Sequence, residues 1–169
     1  MRQTACCLLW DRIRCAFLPR AHRRRIGEAR RVLAKVRPWL GTGPKGPARV
    51  FGYLRTVDPL VFEELVLQAF VDQRFRIRRG TRYSGDGGVD GHVRLGEAWA
   101  PLQCKRYAGA IDPQHVRDFA RLTFPRRAVF AHTGRTGPQS HATRDARVIM
   151  LSGNSLLALI AGTFSLDGE

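Results

Sequence analysis

Acidic residues, cysteine pairs and long apolar runs are all scarce in this sequence. Its 169 residues contain 14 Asp and Glu against 29 Lys and Arg, a formal net charge of +15. The four cysteines form no Cys-x-x-Cys pair, and no histidine pair has a spacing that would complete a zinc site, which argues against structural zinc. The apolar run 5–10 is too short for a secretory core or a membrane span. These absences favour a protein of the reducing cytoplasm without a membrane span.

The excess of positive charge indicates a polyanionic partner. A sequence pI near 11.3 lies far from neutrality, beyond what solubility alone requires. Nucleic acid and an anionic membrane surface both fit such a field. Charge alone does not choose between them.

The first 50 residues differ in composition from the rest, since the ten Lys and Arg between Arg12 and Arg37 are opposed only by Asp11 and Glu28. Apolar residues recur there at three- and four-residue steps, which predicts a basic amphipathic helix over about 21–37 that ends at Pro38. The Gly- and Pro-rich run 41–47 is typical of a linker. We therefore expect a basic N-terminal extension and linker over 1–50, outside the core, and a domain over 51–169 that folds alone.

From Asp58 onward the element types alternate. Asp58-Pro59 and Asp112-Pro113 are both typical of a helix start, with aspartate as N-cap and proline at the first helical position. The order α-β-β-β-α-β-α-β-α predicts an α/β fold with a mixed central sheet flanked by helices. Helices are expected at about 59–71, from 113 to about 122, at 139–147 and at 155–161, and strands at 75–78, 89–95, 99–106, 126–133 and 148–151.

Polar side chains are predicted to converge on two of these strands. Because side chains alternate between the faces of a strand, Gln103 and Lys105 project together, away from Leu102 and Cys104. Asp90 begins the preceding strand, and a hairpin at 96–97 places it opposite Gln103 and Lys105. A carboxylate, an amide oxygen and an ammonium group therefore meet at one place.

The first helix of this region carries two adjacent acids. Glu63 lies about 100° around the helix from Phe62, at the edge of the apolar stripe, and Glu64 lies about 200° away. This spacing predicts that Glu63 reaches inward and that Glu64 faces water. Oxygen ligands such as Asp90, Glu63 and Gln103 suit Mg²⁺ or Mn²⁺, and Lys105 could orient a water or neutralise charge on a phosphate. The alternative is a structural Asp90–Lys105 ion pair beside a surface glutamine.

Three motifs resemble the Mrr-like branch of the restriction endonuclease superfamily. They are Phe62-Glu63-Glu64-Leu65-Val66, the glycine-rich run 85–91 with the sequence GDGGVDG, and Gln103-Cys104-Lys105-Arg106-Tyr107, in the expected order. The resemblance covers roughly 58–161 and implies an α-β-β-β-α-β core with a D…QxK active site. It implies that Asp90 binds metal, that Gln103 replaces an acidic ligand, that Lys105 is the catalytic lysine and that Glu63 is the helix glutamate.

The implied function is metal-dependent hydrolysis of DNA phosphodiesters, with restriction of foreign or modified DNA as one setting. The first 50 residues are too short for a typical winged helix, so target recognition could reside in a separate partner or be absent. A homodimer also stays open. The alternatives are a structure-specific nuclease of DNA repair or mobile elements, a catalytically silent DNA-binding module, and a membrane-surface protein held by the basic helix. The side chains expected to contact DNA are those of Arg106, Tyr107, Arg117 and Arg135.

Overall fold

The computed structural model describes residues 18–80, 88–136 and 145–166. Its helices are α1 (Arg20–Leu40), α2 (Lys45–Leu54), α3 (Pro59–Asp72), α4 (Pro113–Thr123) and α5 (Gly153–Ala161). Its strands are β1 (Ile77–Arg79), β2 (Gly91–Leu95), β3 (Ala98–Lys105), β4 (Ala128–His132) and β5 (Val148–Leu151). The glycine-rich turn at 84–87 and most of the helix predicted at 139–147 lie outside the described residues.

The five strands form one mixed sheet in the order β1-β2-β3-β4-β5. Strands β1, β2 and β3 are antiparallel neighbours, whereas β3, β4 and β5 run parallel. The hairpin predicted at 96–97 is confirmed, because Leu95 pairs with Ala98 and Gly96 takes a φ of 59°, which suits glycine. The predicted α/β class with a mixed sheet is confirmed.

Both predicted helix starts are present. Oδ1 of Asp58 accepts hydrogen bonds from the amides of Leu60 at 2.9 Å and Val61 at 3.2 Å. Oδ1 of Asp112 accepts one from the amide of Gln114 at 2.8 Å. These bonds satisfy amides that have no partner inside the helix, so the sequence signature fixes where α3 and α4 begin.

The sheet separates two apolar clusters. The larger joins one sheet face to α1, α2, α3 and α5, and includes Leu33, Phe62, Leu102 and Leu156. The smaller lies between the other sheet face and α4, around Val116, Phe119 and Phe130. The side chains of β3 follow this division, since Leu102 and Cys104 belong to the larger cluster. Gln103 and Lys105 consequently face the α4 side.

The basic helix α1 is part of the main core, so the expectation that it lies outside the core is wrong. Its buried face consists of His22, Ile26, Ala29, Val32, Leu33 and Val36, and it packs along α3. The helix continues through Pro38 to Leu40, because a proline in the last turn removes only one late hydrogen bond. The predicted linker is also shorter than 41–47, since α2 begins at Lys45. The division at residue 50 stays a prediction.

Candidate active site

Asp90 is bound to β3 at two atoms. Its amide donates to the carbonyl of Leu102 at 2.8 Å, and its Oδ2 accepts from the amide of Cys104 at 2.6 Å. Gly91 pairs with Leu102, so Asp90 lies beside Gln103, as the hairpin predicted. The Asp90 carboxylate is therefore held at a fixed position beside β3. Its Oδ1 accepts no hydrogen bond from the part of the chain that the structure describes.

Gln103 is buried, with 8% of its surface exposed, and its Nε2 donates to the carbonyl of Gly88 at 2.5 Å. A carbonyl oxygen only accepts, so the atom facing it has to be the amide nitrogen, and Oε1 is left for another partner. Gly88 has a φ of +89°, and a Cβ there would lie 2.5 Å from that nitrogen. Glycine at this position therefore permits both the turn and the close approach.

Lys105 and Gln103 line a pocket of about 270 Å³ on the α4 side of the sheet. The other lining residues are His115, Asp118, Phe119 and Leu122, all on α4. Within the described residues no salt bridge joins Asp90 to Lys105, and Gln103 is not at the surface. The alternative of a structural ion pair beside a surface glutamine does not describe this arrangement.

Glu64 does not have the environment predicted for it. Glu64 is 2% exposed, and its carboxylate contacts Nε2 of His22 at 2.6 Å and Nε of Arg79 at 2.9 Å. Glu63 is the partly exposed acid. The prediction that Glu64 faces water is wrong because α1 covers the outer side of α3, so α3 is buried almost all round.

Glu63, Asp90 and Lys105 lie close enough for their charges to affect one another. Burial, and then the charges of Asp90 and Glu64, raise the pKa of Glu63 to about 8. Burial raises the pKa of Asp90 to about 6, against the lowering effects of the Cys104 amide and of Lys105. The positive charge nearby does not compensate the burial of these two carboxylates. Raised pKa values in such a cluster are typical of functional sites.

This donor set suits a divalent cation. Carboxylate and amide oxygens are the ligands that Mg²⁺ prefers, and a cation would offset the cost of burying the charged carboxylates of Glu63 and Asp90, which is the main cause of their raised pKa values. Among the described residues no group of three or more His, Cys, Asp or Glu side chains could hold a metal. Among the described residues, Oε1 of Gln103 is a neutral oxygen that could serve as a further ligand.

The four side chains predicted to contact DNA are not equivalent. Arg106 and Arg135 are exposed at the ends of the parallel strands, although Arg106 Nη1 also donates to the carbonyl of Arg55. Arg117 is half-buried and donates to Oε1 of Gln114 at 3.0 Å from Nε. Tyr107 is hydrogen-bonded through its hydroxyl to Nδ1 of His115 at 2.5 Å. Their contacts with DNA stay predictions.

Two histidines that the sequence did not single out surround Tyr107. His115 lines the pocket with Lys105 and stacks on the Tyr107 ring at 6.0 Å between centroids. His132, paired with Lys105 across the sheet, is fully buried, and neither of its ring nitrogens has a hydrogen-bond partner within the described chain. Burial lowers the pKa of His132 to about 4, so its ring is neutral at physiological pH.

A restriction endonuclease family model, Mrr_cat, matches residues 54–160, more than half of the chain. The chain belongs to the Mrr-like restriction endonuclease family. No curated protein and no solved structure shows a significant match. The match includes Glu63, Asp90, Gln103 and Lys105, and the five-stranded mixed sheet between helices is the architecture expected of a restriction-endonuclease-like fold.

Membership of the Mrr-like family makes the chain a nuclease of the restriction endonuclease type, which acts on DNA. The family match begins at residue 54, so α1 and all but the last residue of α2 precede the matched region. No helix in the described ranges is both long enough and apolar enough to cross a membrane.

Proposed function

We propose that this chain is a metal-dependent endonuclease that hydrolyses DNA phosphodiesters at Asp90, Glu63, Gln103 and Lys105. One observation carries the proposal. Asp90 is hydrogen-bonded to the strand that bears Gln103 and Lys105, and Glu63 lies within electrostatic reach of both Asp90 and Lys105. The family match supports the nuclease class. Foreign or modified DNA, cut in the cytoplasm, is the substrate that we propose for it.

Each of these side chains has a proposed role. Asp90, Glu63 and Oε1 of Gln103 would hold Mg²⁺ or Mn²⁺, which when bound polarises a phosphate oxygen and lowers the pKa of water. Lys105, on the face that lines the pocket, donates a hydrogen bond to the scissile phosphate and stabilises the charge that grows there in the transition state. The hydrogen bond from the Cys104 amide orients the Asp90 carboxylate.

A plasmid cleavage assay with Mg²⁺ tests the proposal. Lys105→Ala and Asp90→Asn are both expected to abolish cleavage, because the first removes a transition-state contact and the second replaces an anionic ligand with a neutral amide. Lys45→Ala, the same change at an exposed residue of α2, is the matched control and should cut at the rate of the unmodified protein. Circular dichroism would verify that all variants are folded.

Comparing methylated with unmethylated plasmid then tests the proposed substrate. Faster cutting of the methylated plasmid supports restriction of modified DNA, whereas faster cutting of branched DNA supports the structure-specific alternative. DNA binding without cleavage under any metal would leave the catalytically silent binding module as the better description. Cleavage by Lys105→Ala at the unmodified rate would overturn the assignment of the site.

A further inference from the structure

Two large apolar side chains are exposed together at the end of α4. Leu122 is 51% exposed and Phe124 is 66% exposed, and no other large apolar side chain is so exposed in the described part of the chain. Leu122 is one of the residues that line the pocket with Lys105. We call Leu122 and Phe124 the apolar wedge.

The backbone that carries the apolar wedge is fixed. Thr123, between the two wedge residues, is 4% exposed, and its hydroxyl donates to the carbonyl of Phe119 at 2.9 Å. The amide of Arg126 donates to the carbonyl of Thr123 at 2.9 Å, which closes the turn. Leu122 and Phe124 are therefore exposed on a turn of fixed conformation, because the buried Thr123 between them anchors the turn to the protein.

Positive charge surrounds the apolar wedge. Arg121, Arg126 and Arg127 are exposed, and the guanidinium of Arg147 lies 4.5 Å from the centre of the Phe124 ring. The two acids nearby are each paired with an arginine, Asp118 with Arg121 at 3.8 Å and Asp145 with Arg147 at 2.8 Å from Nε. Four arginines against two aspartates leave this surface positive.

The positive surface extends onto the sheet. The pKa of His92 on β2 is lowered by burial and then by the charges of Arg78 and Arg126, so both arginines lie near this strand. The guanidinium of Arg78 lies 4.1 Å from the centre of the Trp99 ring. Arginines and aromatic rings thus continue from the apolar wedge onto β1 and the start of β3, on the sheet face that also carries Gln103 and Lys105.

We propose that Leu122 and Phe124, at the far end of α4 from the Lys105 end of β3, enter duplex DNA between neighbouring bases, while the surrounding arginines bind nearby phosphates. Duplex DNA has stacked bases flanked by two negatively charged phosphate backbones. Apolar side chains can insert between two stacked bases while basic residues on either side bind the phosphates. The proposal rests on the proposed nuclease function, since it takes the pocket with Lys105 as the place of cleavage. It implies that the substrate is locally unstacked when cut.

Fluorescence of 2-aminopurine tests the apolar wedge directly, because this base brightens when it loses its stacking neighbours. Short duplexes carry 2-aminopurine at successive positions around a cleavage site mapped with Mg²⁺, and binding is followed in EDTA so that no cutting occurs. The unmodified protein is expected to raise the fluorescence at one or two adjacent positions. Phe124→Ala and Leu122→Ala should abolish this rise, and Phe124→Trp should retain it.

Affinity and its salt dependence separate the apolar wedge from the arginines. Phe124→Ala should weaken binding about tenfold, as expected when one stacked base loses its aromatic partner, with an unchanged slope of log affinity against log salt. Arg126→Ala with Arg127→Ala should instead lower that slope, since fewer phosphates are then neutralised. Both wedge residues are exposed, so their variants are expected to unfold at the same urea concentration as the unmodified protein.

The outcomes distinguish the apolar wedge from the nuclease function on which it rests. Cleavage with no change in 2-aminopurine fluorescence at any position would overturn the wedge and leave the nuclease assignment intact. Failure to bind or cut DNA at all would overturn both. A change of sedimentation coefficient on Phe124→Ala would assign this surface to contact between copies of the chain. Loss of binding to anionic vesicles by the same variant would assign it to a membrane. Either result with unchanged DNA binding contradicts the proposal.

Discussion

Nε2 of His22 lies 2.6 Å from Oε1 of Glu64, and each side chain is only 3% exposed. Arg79 completes the group from β1, with its Nε 2.9 Å from the other carboxylate oxygen of Glu64. This buried group joins α1, α3 and β1 directly behind Glu63, the neighbouring residue on α3. The position of one candidate metal ligand therefore depends on a helix that precedes the region matched by the family.

Breaking this group should destabilise the protein strongly. Glu64→Ala leaves Arg79 buried without its carboxylate, and losing one member of a buried ion pair costs about 3–5 kcal/mol. Urea denaturation measures the loss. Asp72→Ala is the matched control, because it breaks the Arg37–Asp72 pair, whose side chains are 36% and 31% exposed, and such a pair is worth about 0–1 kcal/mol. Equal losses in the two variants would contradict a structural role for Glu64.

Glu63→Gln should have the opposite effect in the absence of metal. Its carboxyl has a pKa of about 8 in the folded protein against an ordinary 4.5, so the unfolded chain releases this proton first and stability falls as the pH rises from 4.5 to 8. Glutamine removes that loss, which is on the order of 1–3 kcal/mol after allowance for water in a half-buried site. Denaturation in EDTA at pH 5 and pH 8 is the measurement, and the gain should appear at pH 8.

Adding Mg²⁺ reverses the comparison. The unmodified protein should be stabilised more than Glu63→Gln, because only the carboxylate supplies negative charge to the cation. Equal stabilisation of both proteins by Mg²⁺ would show that Glu63 does not contribute to metal binding.

His132 should make the protein sensitive to acid. Its pKa falls from 6.5 to about 4 on burial, so the unfolded chain takes up a proton first and stability is lost as the pH falls from 6.5 towards 4. The loss is on the order of 3 kcal/mol, since one pKa unit corresponds to about 1.4 kcal/mol. His132→Phe, between the rings of Tyr107 and Phe130, removes the titrating group.

The difference in unfolding free energy between His132→Phe and the unmodified protein isolates this histidine, because Glu63 and Asp90 contribute equally to both. That difference should grow steadily between pH 6.5 and 4. A constant difference over this range would mean that the ring is already protonated, or solvated, in the folded protein.

The exposed face of α1 allows its charge to be tested apart from its packing. Arg23, Arg24, Arg31 and Lys35 are exposed, so changing all four to Gln should leave the fold intact. If they bind phosphates, the slope of log affinity against log salt should fall by roughly 0.9 on duplex DNA for every phosphate that is no longer neutralised. An unchanged slope would show that α1 does not contact DNA.

Deleting residues 1–44 is the complementary variant. It removes Ile26, Val32, Leu33 and Val36 from the core, each worth about 1.5–3 kcal/mol, and their sum is comparable to the whole stability of a typical domain. The truncated chain is expected to be unfolded and inactive, as circular dichroism and cleavage assays would show. A folded truncated protein that cuts DNA would instead support the predicted independent domain over 51–169.

Patterns that depend on neighbouring residues were predicted correctly. Asp58-Pro59 and Asp112-Pro113 fix the starts of two helices through bonds that span two or three residues. The alternation along β3 separates Gln103 from Leu102 and Cys104 for the same local reason, because the period of a strand is two. The hairpin register then places Asp90 beside Gln103.

The errors about Glu64 and about the place of α1 in the core concern contacts between residues that are distant in the sequence. Glu64 has its partner 42 residues earlier, at His22, and no local period indicates such a pair. A helix with so few polar positions as α3 is typical of a buried helix, and this was the available sign that another element covers it. Tyr107 and His115 are on either side of a loop, so the periodicity of strands and helices does not predict their hydrogen bond.

The hydrogen bond from Nε of Arg37 to the carbonyl of Ile160, 2.9 Å long, joins residues 123 positions apart. During synthesis α1 therefore emerges first and has to wait for α5 before this bond forms. The candidate site residues, all between 63 and 105, leave the ribosome while the apolar face of α3 still lacks part of its cover. The chain gains its complete core only once Phe164 is available, so until then it exposes apolar surface to which a chaperone could bind.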